Sequence, residues 1–333
     1  MAKALKLEAL MAALREIRGD PTSAEGQAVL QKILASKQSI AVAQAAPLIS
    51  QFELTNLVPE LIAAFDRFLI KAADSDPGCR AKQAIAETLY RLDIAAESLF
   101  LKGIRHIQRE PVWGGTEDTA PRLRGTCALG LVRMHYPQVM VELGDLLADP
   151  EAEARIGAVR AIAYNQAEHG IPLLRLRIKV GDDSTVISEC LIALLQIAPE
   201  PSLPLVQALL FPETLLVSET DISNAEAAAL ALSEARLPEA FPLLKAWWES
   251  LSIPELRKTG LWALSTLRQP EAIAFLLSVI ADGKPWDARE AIKAMGLYVD
   301  DSTVWQQVCE VVEARKDIAL QPTLHDVAKS ASS

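Results

Sequence analysis

The repeating pattern of this chain is clearest in the segment Asp149-Pro-Glu-Ala-Glu-Ala-Arg-Ile-Gly-Ala-Val-Arg-Ala-Ile162. Its opening Asp-Pro pair is typical of a break between helices. The basic residue Arg155 follows six positions after Asp149, and apolar residues follow the arginine at +3 (Ala158) and +7 (Ile162). Residues at these intervals share one face of an α-helix. The segment therefore predicts a turn followed by an amphipathic helix with a charged residue near its start.

The same pattern recurs along the chain. Asp118 precedes Arg124 by six positions, and Asp76 precedes Lys82 by the same distance. Weaker copies lack the aspartate, the basic residue or both. The equivalent register positions are 82, 124, 155, 188, 224, 257 and 289. Their separations run from 31 to 36 residues, with one of 42. A period of this length predicts a repeat of two helices per unit, which is an α-solenoid.

The composition agrees with such an array. Of the 333 residues, 50% are apolar, 5% are aromatic and 15 are glycine. These values exclude disordered, collagen-like and disulfide-scaffold classes. Helical periodicity occurs nearly everywhere, and strand-type alternation occurs almost nowhere. Small residues such as Gly130, Ala158, Ala161 and Gly260 allow stacked helices to approach closely, which large aromatic side chains would obstruct. We therefore expect an all-α fold.

The Asp-Pro…Arg-x-x-Ala pattern resembles HEAT repeats, especially the short type named after phycobilisome lyases. The quoted segment carries the resemblance, as does Arg257-Lys-Thr-Gly-Leu-Trp-Ala-Leu264. It implies an α-solenoid, a superhelix of stacked antiparallel helix pairs, over residues 57–316. We expect capping helices or degenerate repeats in residues 1–56, and a short helix with a frayed tail in residues 317–333.

In HEAT proteins, the Asp and Arg residues of the pattern form a ladder between neighbouring repeats. The resemblance assigns this structural role to Asp118 with Arg124 and to Asp149 with Arg155. A functional charged site is the alternative for these residues. Ser188 and Asn224 replace the basic residue in two later repeats, so the array is expected to bend or loosen there.

The second helix of each HEAT pair lines the concave face, and positions +1 and +5 of that helix point away from the core positions. We therefore expect these positions to contribute to a groove, with ordinary surface as the alternative. The +1 column holds Gln83, Gly125, Ile156, Glu189, Ala225, Lys258 and Glu290, and the +5 column holds Glu87, Leu129, Arg160, Ala193, Ala229, Trp262 and Ala294. The best candidates for partner contacts are Glu87, Arg160, Lys258 and Trp262.

Two connections are longer than the repeat requires. In residues 109–118, Gly114 and Gly115 permit unusual backbone angles beside Trp113. Tryptophans in loops are frequent binding anchors, so Trp113 is a candidate partner contact; the alternative is a plug that folds back over the next repeat. Residues 211–221 form the second connection, either a partner-binding loop or a filler insertion.

The net charge of −10 is concentrated in one block. Residues 181–253 contain 2 basic and 11 acidic side chains, whereas residues 102–180 contain 11 basic and 9 acidic ones. The acidic block favours a partner with a basic segment, and improved solubility is the alternative. A pI near 5.1 argues against a general nucleic-acid binder.

Motifs of enzymes, metals and cofactors are absent from the sequence. The four cysteines and four histidines are widely separated, and there is no HExxH, P-loop or GxGxxG motif. Trp113, Asp118, Arg124 and Arg155 could imitate the basic groove of the HEAT-like alkylpurine DNA glycosylases, although the positive charge of residues 102–180 is small. We expect no cofactor and no metal, and we favour a binding protein over an enzyme.

The sequence as a whole favours a scaffold, adaptor or assembly factor that binds another protein through the concave face of a HEAT solenoid. A bilin lyase-like or chaperone factor for phycobiliproteins is the first alternative, implied by the repeat type alone. A DNA glycosylase is the lesser one. No stretch reaches 18 apolar residues, so we expect no membrane span, and the isolated cysteines suit a cytoplasmic protein.

Overall fold

The computed structural model describes residues 2–166, 168–212 and 218–331. The chain divides into two compact units, Met1–Leu173 and Leu174–Ser333. Within the described residues, twenty α-helices and one pair of short strands are present. The expectation of an all-α architecture is therefore confirmed. The finer division into a cap, an array and a tail stays a prediction.

Unit 1 consists of helices joined by short turns, with one strand pair inserted between two of them. Its elements are α1 (Ala2–Glu16), α2 (Ala24–Leu34), α3 (Ser39–Gln51), α4 (Val58–Leu69), α5 (Ala72–Ser75), α6 (Arg80–Arg91), α7 (Glu97–Ile104), β1 (Arg109–Val112), β2 (Gly115–Asp118), α8 (Pro121–Arg133), α9 (Val139–Leu147) and α10 (Ala152–Asn165).

The remaining helices belong to unit 2, except that the first of them begins three residues before the boundary. They are α11 (Ile171–Val180), α12 (Ser184–Ile197), α13 (Pro199–Leu210), α14 (Glu219–Ala235), α15 (Ala240–Ser250), α16 (Pro254–Thr266), α17 (Pro270–Asp282), α18 (Pro285–Ala294), α19 (Ser302–Arg315) and α20 (Gln321–Ala331).

The seven helices that carry the register positions form the stack of each unit; we call them the register helices. In unit 1, α6, α8 and α10 pack on one another in succession, and α4, α7 and α9 pack on their flank. Helix α3 carries no register position but packs on α6 and extends the row. In unit 2, α12, α14, α16 and α18 form the corresponding row, flanked by α13, α15 and α17. Each unit is thus a HEAT-like solenoid of stacked helix pairs.

Helix boundaries follow from local sequence. A proline occupies the first turn of several helices, for example Pro121 in α8 and Pro254 in α16, where its missing N–H costs no hydrogen bond. Several helices end on a non-glycine residue in the left-handed conformation, such as Gln166 after α10 and Arg236 after α14. Because these ends use other residues, the chain requires few glycines.

Glycine is used where two register helices almost touch. Gly125 of α8 faces Gly157 of α10, and a Cβ on Gly157 would lie 2.4 Å from the Cα of Gly125. No side chain fits in that space without displacing backbone. The α8–α10 contact therefore depends on a pair of glycines that face each other.

The long connection at residues 109–118 is a β-hairpin. Strand β1 pairs antiparallel with β2, from Arg109 opposite Asp118 to Val112 opposite Gly115. Trp113 and Gly114 form the two-residue turn, and Gly114 has a φ of +90°. The sequence indicates only a connection longer than the repeat requires, because four-residue strands are too short to show a clear alternation. The other long connection, at 211–221, falls partly on residues 213–217, outside the described residues.

Candidate partner-binding surfaces

Asp118, Arg124, Asp149 and Arg155 come together in unit 1. The Arg124 guanidinium donates from Nη1 to Asp118 Oδ2 at 2.7 Å and from Nη2 to Asp149 Oδ1 at 2.9 Å. Arg124 thus joins the turn that precedes α8 to the turn that precedes α10. Only 2% of the Arg124 side chain is exposed. That this chain of contacts acts as a stabilising ladder stays a prediction.

Arg155 lies at the far end of the same set. Its Nη1 donates to the backbone oxygens of Asp149 and Pro150, each at 2.8 Å. The Asp149 carboxylate accepts from Arg124 and from the backbone amide of Glu151. Arg155 therefore fixes the backbone of the turn whose side chain holds Arg124.

The Asp118 carboxylate belongs to the hairpin as well as to this set. Its Oδ1 accepts from the backbone amides of Gln108 and Ala120, each at 3.0 Å. Burial opposes ionisation, but these two bonds and the Arg124 guanidinium outweigh it, so the pKa of Asp118 lies below its ordinary value. Asp118 is therefore held as a carboxylate at the base of the hairpin.

Asp76 and Lys82 form a fully buried ion pair, with 3.0 Å between Lys82 Nζ and Asp76 Oδ2. The Asp76 carboxylate also accepts from the backbone amides of Ala81 and Lys82 and so caps α6. Gln108 extends the set, because its Nε2 donates to the backbone oxygen of Asp76 at 2.8 Å. No sequence signal marked Gln108, since it stands outside the repeat pattern.

A comparable pair lies in unit 2. Arg257 makes two parallel bonds to Asp287, at 2.9 Å and 3.0 Å, and its guanidinium carbon lies 3.9 Å from the ring centroid of Trp248. The repeat of Arg257 lacks its turn aspartate, because Leu251 stands six positions before the arginine. Asp287 was missed because it lies inside α18, two residues before the register position, instead of in the preceding turn.

Trp113 occupies the tip of the hairpin and has a relative exposure of 102%. It does not fold back as a plug over the next repeat. The hairpin itself is firmly attached. Glu110 Oε1 accepts from Gly78 N (2.7 Å), Gln108 Nε2 (2.6 Å) and Thr119 Oγ1 (2.7 Å). Although burial opposes ionisation, these bonds hold the pKa of Glu110 below its ordinary value.

The four side chains predicted to face a groove all reach the surface. Arg160 and Lys258 are exposed, and Glu87 and Trp262 are half-buried. Glu87 pairs with Arg91 one turn further along α6, at 2.5 Å. It also lines a groove of about 550 Å³ on the register-helix face of unit 1, together with Arg80 and Arg122.

The two columns as a whole are not uniformly exposed, and this part of the expectation is wrong. The buried members are Gly125, Ala193, Ala225, Ala229, Glu290 and Ala294. The physical reason is that neighbouring register helices pack closely enough to cover the small side chains at these positions. Glu290 is buried as well although its side chain is long, so neither the column nor the size of a residue predicts its exposure by itself.

The four residues that could imitate a DNA glycosylase groove, Trp113, Asp118, Arg124 and Arg155, do not line an open groove. Asp118 and Arg124 are buried against each other, and Trp113 stands in solvent on the hairpin. Elsewhere in the described residues, no three His, Cys, Asp or Glu side chains converge as a metal site would require. All four cysteines are free, and burial raises the pKa values of the Cys79 and Cys190 thiols to about 12.

Comparison with known proteins supports the class of fold. The family model described as HEAT repeats matches residues 213–296, about a quarter of the chain, which contain α14 to α18. No curated protein matches the chain. Taken with the stacked helix pairs, the match identifies an all-α, HEAT-like architecture, a class that in general serves protein interaction. Among the described helices, none is long and apolar enough to cross a bilayer.

Proposed function

We propose that this protein is a non-enzymatic scaffold or adaptor that binds another protein, and that Trp113 is its principal anchor. The observation that carries the proposal is a fully exposed tryptophan on a hydrogen-bonded hairpin. An indole in water forgoes the favourable free energy of burial, so its display at a tip is costly unless a partner covers it. The side chains of Glu87, Arg160, Lys258 and Trp262 supply further contacts.

The attachment of the hairpin adds to the argument. Binding energy is reduced when a flexible loop must be ordered on association. Here Glu110 accepts from Gly78 and Asp118 accepts from Arg124, which fixes both strands to the body of unit 1. Further bonds join the two carboxylates to the residues that flank the hairpin, so little ordering remains to be done. Tryptophan is also the residue type most enriched among binding hot spots.

The acidic block supports a finer proposal, that the partner presents a basic segment to residues 181–253. Several carboxylates of this block are exposed, among them Glu200, Glu234, Glu239 and Glu249. Electrostatic complementarity of this kind accelerates association and weakens with added salt. We expect the association rate constant to fall severalfold between low and physiological ionic strength; a rate independent of salt would contradict the basic partner.

The test of the anchor begins with a photo-crosslinking residue at position 113 in the full chain. The same residue at position 318 provides the matched control, because Ile318 is also highly exposed (86%) but lies in unit 2. A protein captured from position 113 and not from position 318 is then purified. Its affinity is measured for the wild type, Trp113→Ala and Ile318→Ala.

We expect Trp113→Ala to weaken that affinity by about 30-fold, the effect of losing a hot spot worth roughly 2 kcal/mol. Ile318→Ala is expected to bind like the wild type. Arg160→Glu and Trp262→Ala test the register-helix face in the same assay. Equal affinities for Trp113→Ala and the wild type would overturn the role of the hairpin. Neither bilin attachment nor DNA repair is favoured by a specific feature of the described residues.

A further inference from the structure

Two adjoining cavities lie at the edge of unit 1 where α3 and α6 begin. Their volumes are about 670 Å³ and 400 Å³, and they share Lys37, Asp74 and Ser75 as wall residues. We call the joint cavity the basic basin. Its wall contains four cations, Lys37, Arg67, Lys71 and Arg80.

The cations of the basin lack counter-ions. Among the described side chains, no carboxylate lies within ion-pair distance of any of the four. Arg67 is the most constrained of them. Its Nη2 donates to the backbone oxygens of Leu34 (2.5 Å) and Ser36 (2.9 Å), and its Nε is buried without an acceptor. Removing a cation from water without pairing it with an anion costs free energy, and a bound anion would offset this cost.

The two carboxylates of the wall do not neutralise it. Glu110 is engaged by Gly78, Gln108 and Thr119. Asp74 is exposed and is the other acidic side chain of the wall. Four cations and two carboxylates leave the wall with an excess of two positive charges. The first residues of α3, Ser39 and Ile40, lie in the same wall and contribute the positive end of the helix dipole.

Apolar side chains border the cations. Ile70 (69% exposed) and Ile40 (45% exposed) lie in the wall, with Leu7 beside them. Free phosphate has no apolar group that could pack against these side chains. A nucleic acid would require a longer row of cations and exposed aromatic faces, and the one aromatic side chain of the wall, Phe68, is buried. The lining therefore fits a ligand that combines negative charge with aliphatic groups.

We propose that the basic basin binds an acidic segment of a partner polypeptide that also carries leucine or isoleucine. The inference rests on the proposed function in that the ligand belongs to a bound protein, but its site is separate from Trp113. Carboxylates of the segment pair with Lys37, Lys71 and Arg80, and an aliphatic side chain packs against Ile40 and Ile70.

The test uses the full chain and a fluorescein-labelled dodecapeptide in which Glu or Asp alternates with Leu. A second peptide replaces every acid by its amide, and inorganic phosphate is a third probe. The variant Lys37→Gln/Lys71→Gln removes two exposed cations of the basin. The matched control, Lys32→Gln/Lys179→Gln, removes two exposed lysines elsewhere. Fluorescence anisotropy measures binding, and circular dichroism confirms that each variant is folded.

We expect the acidic peptide to bind the wild type and the control equally and the basin variant about tenfold more weakly. The amide peptide should bind much more weakly than the acidic one. Trp113→Ala should leave acidic-peptide binding unchanged, which separates this inference from the hairpin proposal. Equal binding by the basin variant and the wild type would overturn the proposal. So would phosphate binding without peptide binding, since that result would indicate a simple anion site.

Discussion

The α8–α10 contact of unit 1 and the α12–α14 contact of unit 2 solve the same packing problem with different chemistry. Between α8 and α10, Arg124 bridges the buried Asp118 and the partly buried Asp149, and two glycines meet face to face. Between α12 and α14, no basic residue occupies the register position, and α14 is rich in buried alanines such as Ala225 and Ala229. One repeat period therefore accommodates a polar joint and an apolar joint.

The register fixes where a helix lies but not what holds it there. Ser188 and Asn224 were expected to loosen the array, yet α12 and α14 pack extensively within unit 2. Small side chains allow close approach and dispersion contacts without any ion pair. The polar joint instead depends on single residues, and so the two joints should respond very differently to mutation.

The largest effect is expected for Arg124→Ala. It leaves the buried carboxylate of Asp118 and the partly buried one of Asp149 without their cation. Breaking a buried ion pair in this way typically costs about 3–5 kcal/mol. Urea unfolding followed by circular dichroism gives the change in the free energy of unfolding. Arg122→Ala, at an exposed position on the same helix, is the control. A loss below about 1 kcal/mol would mean that the joint does not depend on the ladder.

The glycine contact gives the second comparison. Gly157→Ala places a Cβ 2.4 Å from the Cα of Gly125 and is expected to destabilise by about 1–3 kcal/mol through overpacking. Gly144→Ala, also within a helix of unit 1, meets only Leu173 Cδ1 at 3.9 Å and should be neutral or stabilising. Thermal unfolding of both variants checks the pair. Similar melting temperatures would contradict the close approach of α8 and α10.

Acid should weaken the polar joint. The folded-state pKa of Asp118 is depressed, so its contribution to stability is full above the unfolded pKa of about 3.9 and is lost as the pH falls through the folded value. Asp118→Asn should therefore flatten the decline in stability below about pH 4. Glu117→Gln removes a neighbouring exposed carboxylate and serves as the control. Identical pH profiles for wild type and Asp118→Asn would refute the assignment.

The smallest effect is expected at the register position of the apolar joint. Ser188 of α12 is half-buried, and its replacement by alanine should change the free energy of unfolding by less than about 0.5 kcal/mol. Chemical denaturation under the conditions used for Arg124→Ala supplies the measurement. A loss as large as that of the arginine variant would show that the two joints are chemically alike after all.

The sequence predicted the regular part of this molecule because the repeat is a local pattern. The spacing of Asp118, Arg124, Asp149 and Arg155 is sufficient to place these residues near one another once helices stack. Asp287 escaped prediction because it shifts by several residues into a helix, where the spacing no longer applies.

The hairpin and the basic basin were not predicted from the sequence, for two other reasons. Strands of four residues, one of them containing Pro111, carry too little alternation to be recognised, and the Trp113–Gly114 turn lacks a typical Asn-Gly or Asp-Gly pair. The basin depends on backbone geometry. Lys71 and Cys79 adopt positive φ on either side of residues 72–78, which supply part of its wall. Such geometry is set by tertiary contacts that a single sequence does not display.

Asp118 is shared by the hairpin and by the joint between α8 and α10. Occupancy of the hairpin and integrity of that joint are therefore thermodynamically linked: a ligand that requires the ordered hairpin also favours the state in which Asp118 holds Arg124. Mechanical load applied through Trp113 would likewise pass through this carboxylate into two successive repeats. The exposed tip is thus tied to one of the most deeply buried charges of unit 1.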